Sequence, residues 1–455
     1  MAPKEESVDN LVNHRKMFVF MVFFSIPPFT LKKRCYTGTM NIFFSGIGGV
    51  GIGPLAEIAC DAHYGVSGSD LQESPFTEVL ADRGVPISFS QDGSFLRATH
   101  EQTPVDWYIH TAALPADHPE LLVAKELGIR TGKRDELLAQ IIKEKNLKLI
   151  AISGTHGKTT TTGMMVWMMK QLGIPVSYSI GTRVSFGPSG TFDPASEYFV
   201  YECDEFDRNF LHFHPFLSLL TSIDYDHPDV YPTSADYVAA FRQFISQSQA
   251  TIMWHADNTD IQATAKDGWI LGDDVPTELR LPGAHNRRNA TLVAKAAEYL
   301  QLGNAETVKN ALESFPGTSR RFEKLADNLY TDYGHHPVEI AATLQMAREV
   351  SDHVALVYQP HQNVRQHEVR GLYTDCFEKA ELVYWLPTYL SREDPSLSIL
   401  TPEELTQNIT NKTAVRLAGL DDQLWDAIEQ ARSQGMLVLA MGAGTIDSWL
   451  RQRLN

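Results

Sequence analysis

The residues Ser153-Gly154-Thr155-His156-Gly157-Lys158-Thr159-Thr160 hold the densest chemistry in the chain. Glycines let backbone N–H groups close around phosphate oxygens, the lysine supplies a cation for a transferred phosphoryl group, and the Thr159 hydroxyl suits a Mg²⁺ ligand. The segment sits between the apolar run Leu149–Ile152 and the apolar stretch Met164–Leu172, which reads as strand, loop and helix. The common spacing G-x-x-x-x-G-K would require glycine at 152, where this chain has Ile152, so the loop is a variant.

A second glycine cluster, Gly46-Ile47-Gly48-Gly49-Val50-Gly51, follows the apolar run Ile42-Phe43-Phe44 and precedes the helical Pro54–Cys60. Another strand-like run ends at Gly68-Ser69-Asp70, which completes a G-x-G-x-x-G pattern with an acid about 20 residues further on. Such glycines let the backbone approach a pyrophosphate, whose charge then faces the N–H groups at a helix start. A nicotinamide dehydrogenase shows the same fingerprint, and a βα turn without ligand shows a looser one. Glu202 closes Tyr198-Phe199-Val200-Tyr201 and leads into Cys203-Asp204-Glu205, while His227 follows the run Leu217–Ile223. Hard oxygen ligands with one imidazole form a Mg²⁺ or Mn²⁺ shell when phosphate oxygens complete it. Taken singly these residues read as surface or capping chemistry; beside a phosphate loop they read as ligands. His335-His336 before Pro337 reads, by itself, as a helix-start pair.

These residues must be positioned by a chain of 455 residues, enough for about three domains. The 39 basic and 56 acidic residues leave a net charge of −17, which excludes a global electrostatic footprint for nucleic acid or anionic lipid. With 43% hydrophobic and 21% charged residues the composition is that of an ordinary globular protein. Cys35, Cys60, Cys203 and Cys376 lie far apart, so neither a disulfide framework nor a zinc site is indicated, and a reducing cytoplasm fits. The apolar patch Met17–Phe24 is too short to span a bilayer, and nearby acids and prolines argue against a signal peptide. Residues 1–39 therefore read as a non-core leader, with Met40 opening the folded part.

From Met40 onwards, short apolar runs alternate with turns and helix-like segments, the signature of parallel sheets covered by helices. The first block runs from Ile42 through Trp107-Tyr108-Ile109 to a helix over Asp135–Lys143, followed by a polar linker, 143–148. The second holds Leu149–Ile152, Tyr198–Glu202, Leu217–Ile223 and a helix over Asn286–Leu300. The third begins near Phe315-Pro316-Gly317 and contains strands at Val354–Tyr358, Leu382–Trp385 and Met436–Met441. The expected division is 40–145, 146–316 and 317–455.

Taken in order, Gly154–Thr161, Glu202-Cys203-Asp204-Glu205, Asp226-His227, Gly283-Ala284-His285-Asn286 with Asn289, Arg320-Arg321-Phe322 and Asp332-Tyr333-Gly334-His335-His336-Pro337 resemble the motifs of the Mur ligase family. The resemblance extends from Met40 to about Asp447. It implies an α/β, three-domain architecture, with a Rossmann-like UDP-binding domain, a central P-loop ATPase domain and a C-terminal Rossmann-like domain. It also implies an ATP-dependent ligase of peptidoglycan precursor synthesis. In the alanine-adding branch, L-alanine is joined to the lactyl carboxylate of UDP-N-acetylmuramate through an acyl phosphate. The alternatives are ligation of a tripeptide to the same UDP-sugar, as in murein recycling, and a non-catalytic nucleotide-binding homologue.

By the same resemblance, Gly46, Gly48, Gly51, Ser69 and Asp70 would hold the UDP part of the substrate, with His110 and Arg134 near its diphosphate. The glycine fingerprint then needs no nicotinamide. ATP would lie on Gly154, Thr155, His156, Gly157, Lys158, Thr159 and Thr160, with His285, Asn286 and Asn289 at the nucleotide. Arg321 and Asp332 would reach its phosphate and ribose after domain closure. Lys158, Glu202, His227 and Arg321 would carry catalysis, and Thr159, Glu202 and His227 would hold Mg²⁺ or Mn²⁺. Tyr333, His335, His361 and Arg365 would form the alanine pocket. Cytoplasmic location, no nucleic-acid partner, no stable membrane association and a monomer or homodimer are expected. The chain departs from the family pattern in having Ser222 after Thr221, a short stretch between Thr251 and Leu281, and no lysine between His227 and Lys266.

Overall fold

Runs such as Leu217–Leu220, Val354–Tyr358 and Leu437–Met441 are buried at every residue, as strands covered by helices on both faces must be. In the computed structural model, which describes residues 40–111, 114–227, 230–262, 267–273, 278–391 and 393–454, these runs build three sheets. The expected leader, 1–39, lies outside the described residues.

The first sheet contains β1 (Asn41–Ser45), β2 (Gly65–Ser69), β3 (Ile87–Ser88), β4 (Trp107–His110) and β5 (Arg130–Lys133), in the order β3-β2-β1-β4-β5. The second contains β6 (Lys148–Ser153), β7 (Val176–Ser179), β8 (Gly190–Thr191), β9 (Tyr198–Glu202), β10 (Leu217–Leu220), β11 (Ala250–Trp254) and β12 (Gly268–Leu271), ordered β12-β11-β10-β6-β9-β7-β8. The third contains β13 (Glu323–Ala326), β14 (Leu329–Asp332), β15 (Val354–Tyr358), β16 (Leu382–Trp385), β17 (Val415–Leu417) and β18 (Leu437–Met441), ordered β13-β14-β18-β15-β16-β17. Pairing is parallel except for β7 with β8 and β13 with β14. Each sheet is an open α/β arrangement, and such sheets bind ligands beyond the carboxyl ends of their strands, where the strand order reverses.

Helices that matter for the site are α1 (Gly53–Asp61), α2 (Arg134–Glu144), α3 (Lys158–Gln171), α4 (Ala284–Tyr299), α5 (Pro337–Val350) and α6 (Asn363–Val369). The first two sheets share one apolar cluster that runs from Ile42, Ile58 and Ile141 to Phe199, Phe241 and Ile261. The backbones of these two blocks also meet closely, since a Cβ on Gly190 would lie 2.4 Å from the Pro54 carbonyl.

Three details differ from the sequence expectation. The strand expected over Leu217–Ile223 stops at Leu220, because the backbone from Thr221 onwards turns to the phosphate loop, with Ser222 O accepting the Thr155 N–H at 2.9 Å. The helix expected from Met164 begins at Lys158, capped by Gly157 at φ 83°. The expected linker shortens to 145–147, with Asn146 at φ 54° between the end of α2 and β6.

Candidate active site

The phosphate loop occupies the carboxyl end of β6, between β9 and β10. Ile152, the position where the common motif has glycine, is a fully buried strand residue paired with Glu202, so no glycine is needed there. The two loop glycines are constrained: Gly154 sits at φ 129° and Gly157 at φ 83°, and a Cβ on Gly157 would lie 2.8 Å from Asn289 Oδ1. Ser222 Oγ accepts the His156 N–H at 3.0 Å, so the unusual residue still braces the loop.

Lys158 opens α3 and donates to the Gly154 carbonyl at 2.6 Å and to both Glu205 carboxylate oxygens at 2.9 and 2.7 Å. Burial alone would lower its pKa, but Glu205 and Asp204 outweigh that and hold the ammonium above its ordinary value. The Thr159 hydroxyl donates to Glu202 Oε1 at 2.6 Å, and Gly181 N–H donates to the other Glu202 oxygen at 2.7 Å. His227 takes a left-handed conformation, φ 59°, with Nε2 3.7 Å from Glu205 and 3.8 Å from Asp226. Burial lowers its pKa, and Glu205 and Asp226 overcome this and raise it.

Of the metal set expected from the sequence, Thr159 and Glu202 are in direct contact and His227 stands beside Glu205; among the described residues no three His, Cys, Asp or Glu side chains converge as a metal cluster. Glu205, fully buried, joins Lys158 to His227, a role that the sequence reading did not give it.

Two cavities are lined by neighbouring residues at the start of α3. The larger, about 500 Å³, is lined by His156, Thr159, Asn289, His285, Arg321 and Asp332 together with apolar side chains such as Phe315 and Met346. Asn286, Gly157 and Thr160 also face it, so all the nucleotide candidates from the second and third blocks except Gly154, Thr155 and Lys158 line one space. Arg321 and Asp332 are already in place there. The α4 and α5 ends are clamped, with Gly283 N–H on Glu349 at 2.9 Å, Ala284 N–H on Gln345 at 3.0 Å and Arg287 forked on Glu349 at 2.8 and 2.9 Å. Burial and then the Arg321 charge push His285 down to about 4. Asp332 accepts the Phe322 and Gly334 N–H groups at 2.8 and 2.7 Å, and burial raises it to about 6 against the pull of Arg321.

The smaller cavity, about 220 Å³, is lined by Gly51, Arg134, Lys158, Glu202, Gly181 and Asp204. Arg134 lies over the glycine loop, its Nη1 2.8 Å from where a Gly51 Cβ would be. Burial opposes its charge, but Tyr201, Asp135 and Asp204 outweigh burial and raise its pKa. Gly46, Gly48, Ser69, Asp70 and His110 do not line this cavity. Asp70 instead accepts the Gly48 N–H at 2.8 Å, the Ser69 carbonyl accepts the Gly46 and Ile47 N–H groups, and His110 Nδ1 lies 2.9 Å from the Thr111 carbonyl.

A third group gathers at the carboxyl ends of β14 and β15. Tyr333 meets His335 edge-on at 5.7 Å, His335 lies 5.6 Å from His361, and His361 stacks on Tyr389 at 5.7 Å. Arg365 projects from α6, and its charge acts on both His335 and His336. His335 Nδ1 lies 3.1 Å from the Tyr333 carbonyl, and burial, reinforced by Arg365 and His361 against Glu339, pushes His335 down to about 4. His336 caps α5, as the helix-start reading has it, while His335 faces the aromatic group. Tyr389 was not singled out by sequence, because only the fold brings it beside His361.

The chain matches three family domains in succession: the catalytic domain of the Mur ligase family over residues 41–146, the Mur ligase middle domain over 152–271, and the Mur ligase glutamate ligase domain over 320–444. It is 30% identical to the UDP-N-acetylmuramate–L-alanine ligase of Solibacter usitatus, over 91% of this chain and 94% of that protein. It is 31% identical to the ligase of the same name from Thermosynechococcus vestitus, over 89% and 93%. Among solved structures, UDP-N-acetylmuramate-alanine ligase from Thermotoga maritima superposes with a TM-score of 0.71 at 22% identity, covering 91% of this chain and 98% of that one. A murein peptide ligase from Psychrobacter arcticus gives 0.59 at the same identity and coverage. Among the described residues, no helix is long and apolar enough to cross a membrane. With three matched domains in order and a shared three-sheet fold, the chain belongs to the Mur ligase family.

Proposed function

We propose that this protein uses ATP to join L-alanine to the lactyl carboxylate of UDP-N-acetylmuramate, the reaction for which its curated relatives are named. The observation that carries the reading is that consecutive residues of α3 line the two cavities. Thr159 lines the nucleotide-sized space and its neighbour Lys158 the space beside Arg134 and Gly51, so a phosphoryl group and an acceptor carboxylate would meet at the first turn of α3.

In the first step a carboxylate oxygen attacks the γ-phosphorus, the bond to the bridging oxygen breaks, and ADP leaves with the electron pair. The product is an acyl phosphate. The neutral amine of alanine then attacks the acyl carbon, the carbon–oxygen bond breaks, phosphate leaves with the electron pair, and the nitrogen gives up one proton and keeps the other in the amide. Lys158 and Arg321 supply fixed positive charge on either side of the transferred group. Thr159 and Glu202, a hydroxyl and a carboxylate in mutual contact, are the hard oxygen pair that would hold Mg²⁺. When bound, that ion neutralises phosphate charge as a Lewis acid.

The remaining roles follow from position. Gly51 and Arg134 would meet the diphosphate, with Gly46, Gly48, Ser69, Asp70 and His110 holding the rest of the UDP moiety from the ends of β1, β2 and β4. His285, Asn286 and Asn289 would take the adenine nucleotide, and Asp332 its ribose. Arg365 offers the forked donor geometry that suits the alanine carboxylate. Neutral His335, with Tyr333 and His361, would border the amine. A reaction that consumes ATP and a UDP-sugar belongs in the cytoplasm.

The test is phosphate release by the purified protein with ATP, Mg²⁺ and UDP-N-acetylmuramate, offering either L-alanine or the tripeptide L-Ala-γ-D-Glu-meso-diaminopimelate, with product masses measured. Turnover with alanine and not with the tripeptide is expected. Preference for the tripeptide, or silence with both, would overturn the proposal.

A further inference from the structure

Glu339 is the third residue of α5, and its local role is a cap. Its Oε2 accepts the N–H groups of His335 at 3.0 Å and His336 at 3.2 Å, completing a reciprocal capping box with the His336 side chain. A cap of this kind needs only an acceptor, which glutamine supplies as well as glutamate. Glu339, however, carries more than a cap. Its Oε1 lies 3.5 Å from Nδ1 of His156 in the phosphate loop and 4.0 Å from Nη1 of Arg321, so its charge faces two groups of the nucleotide cavity. Its Oε2 is also 3.9 Å from the His335 ring. The carboxylate thus stands between His156, in the loop after β6 of the second sheet, and His335, just after β14 of the third. The side chain is 19% exposed and lines the 500 Å³ cavity. Burial raises its pKa, but His156, His335 and Arg321 more than reverse this and keep it ionised. The rings of His156 and His336 lie 5.5 Å apart beside it, which closes the contact between the loop and the start of α5.

We infer that Glu339 is a positioning residue that ties the nucleotide site to the amine site, one carboxylate oxygen orienting His156 and Arg321 and the other fixing the backbone that presents His335. The inference rests on the ligase reading proposed above. It follows that a disturbance on the nucleotide side is felt at the amine pocket.

The experiment compares the full chain with Glu339→Gln and His156→Ala, measuring the thermal midpoint and the KM values for ATP, L-alanine and UDP-N-acetylmuramate. Glutamine keeps the cap but replaces the charge facing His156 and Arg321. The expected result is a midpoint close to the parent's with KM for both ATP and alanine raised about fivefold or more, the size of an ordinary coupling between sites. The KM for the UDP-sugar should be unchanged. His156→Ala leaves the cap intact, and it should raise the alanine KM as well as that for ATP. Parent-like alanine KM in His156→Ala would overturn the inference and leave Glu339 as a cap only, and so would parent-like kinetics in Glu339→Gln. If Glu339→Gln unfolds, the His156→Ala arm decides by the same criterion. Absence of alanine-dependent turnover in the parent would instead overturn the ligase reading.

Discussion

Replacing Lys158 with methionine removes the cation that lines the smaller cavity at the first turn of α3 while keeping most of the side-chain volume. Two separate effects should follow. The first is on the reaction, because a preorganised group facing developing charge is worth roughly 3 kcal/mol, so turnover should fall at least about a hundredfold. The second is on stability. Glu205 is 1% exposed and both its oxygens face the Lys158 ammonium at 2.7 and 2.9 Å, so methionine leaves a buried carboxylate with the His227 ring 3.7 Å away. Breaking a buried pair by removing one partner costs about 3–5 kcal/mol. The two effects separate in the double variant Lys158→Met/Glu205→Gln, which removes the stranded charge without restoring the cation. Chemical denaturation and steady-state phosphate release on the parent, the single and the double variants provide the assay. The double variant should recover most of the lost stability and none of the lost turnover. Turnover of Lys158→Met within tenfold of the parent would refute the assigned role of the lysine, and a double variant no more stable than the single one would refute the account of Glu205.

Gly157→Ala places a Cβ at φ 83° and 2.8 Å from Asn289, so it should cost about 1–2 kcal/mol of backbone strain and sharply raise the KM for ATP; a parent-like KM would mean that the loop relaxes freely. His335 is pushed to about 4, below the ordinary histidine value, so the unfolded chain takes up its proton first as pH falls from about 6.5 towards 4. This residue therefore contributes stability at neutral pH that is lost on acidification through that window. His335→Gln should lose less stability than the parent between pH 7.5 and pH 5, as read by denaturant midpoints, whereas an identical loss in both would contradict the assignment.

The parts of this site that were legible in the sequence are those whose chemistry is local. Residues 153–160 form a continuous segment, so the loop, its glycines and its lysine could be read without knowing the fold, and the strand end at Glu202 followed from an apolar run, whereas the short strand that ends at Asp332 was not read from the sequence. Glu205 is different. Its partner Lys158 lies 47 residues away, and nothing in Glu202-Cys203-Asp204-Glu205 says which acid turns inward to the lysine and which turns to Thr159. The contact of His227 with Glu205 is equally invisible, since the two lie 22 residues apart and His227 takes a left-handed turn that spacing does not reveal. His335 and His336 show how fine the distinction is, since adjacent identical residues take opposite duties, one facing an aromatic group and one capping a helix. Tyr389 and the Glu349 clamp on Arg287 depend on contacts between segments remote in sequence and carry no local signature.

The central claim is that the lactyl carboxylate is activated by direct phosphoryl transfer across the first turn of α3. The most direct measurement supplies UDP-N-acetylmuramate with ¹⁸O in that carboxylate, together with ATP, Mg²⁺ and L-alanine, and analyses the released phosphate by mass. Attack on the γ-phosphorus followed by cleavage of the acyl carbon–oxygen bond must deliver one labelled oxygen to inorganic phosphate. Unlabelled phosphate, or label recovered in AMP, would contradict the account.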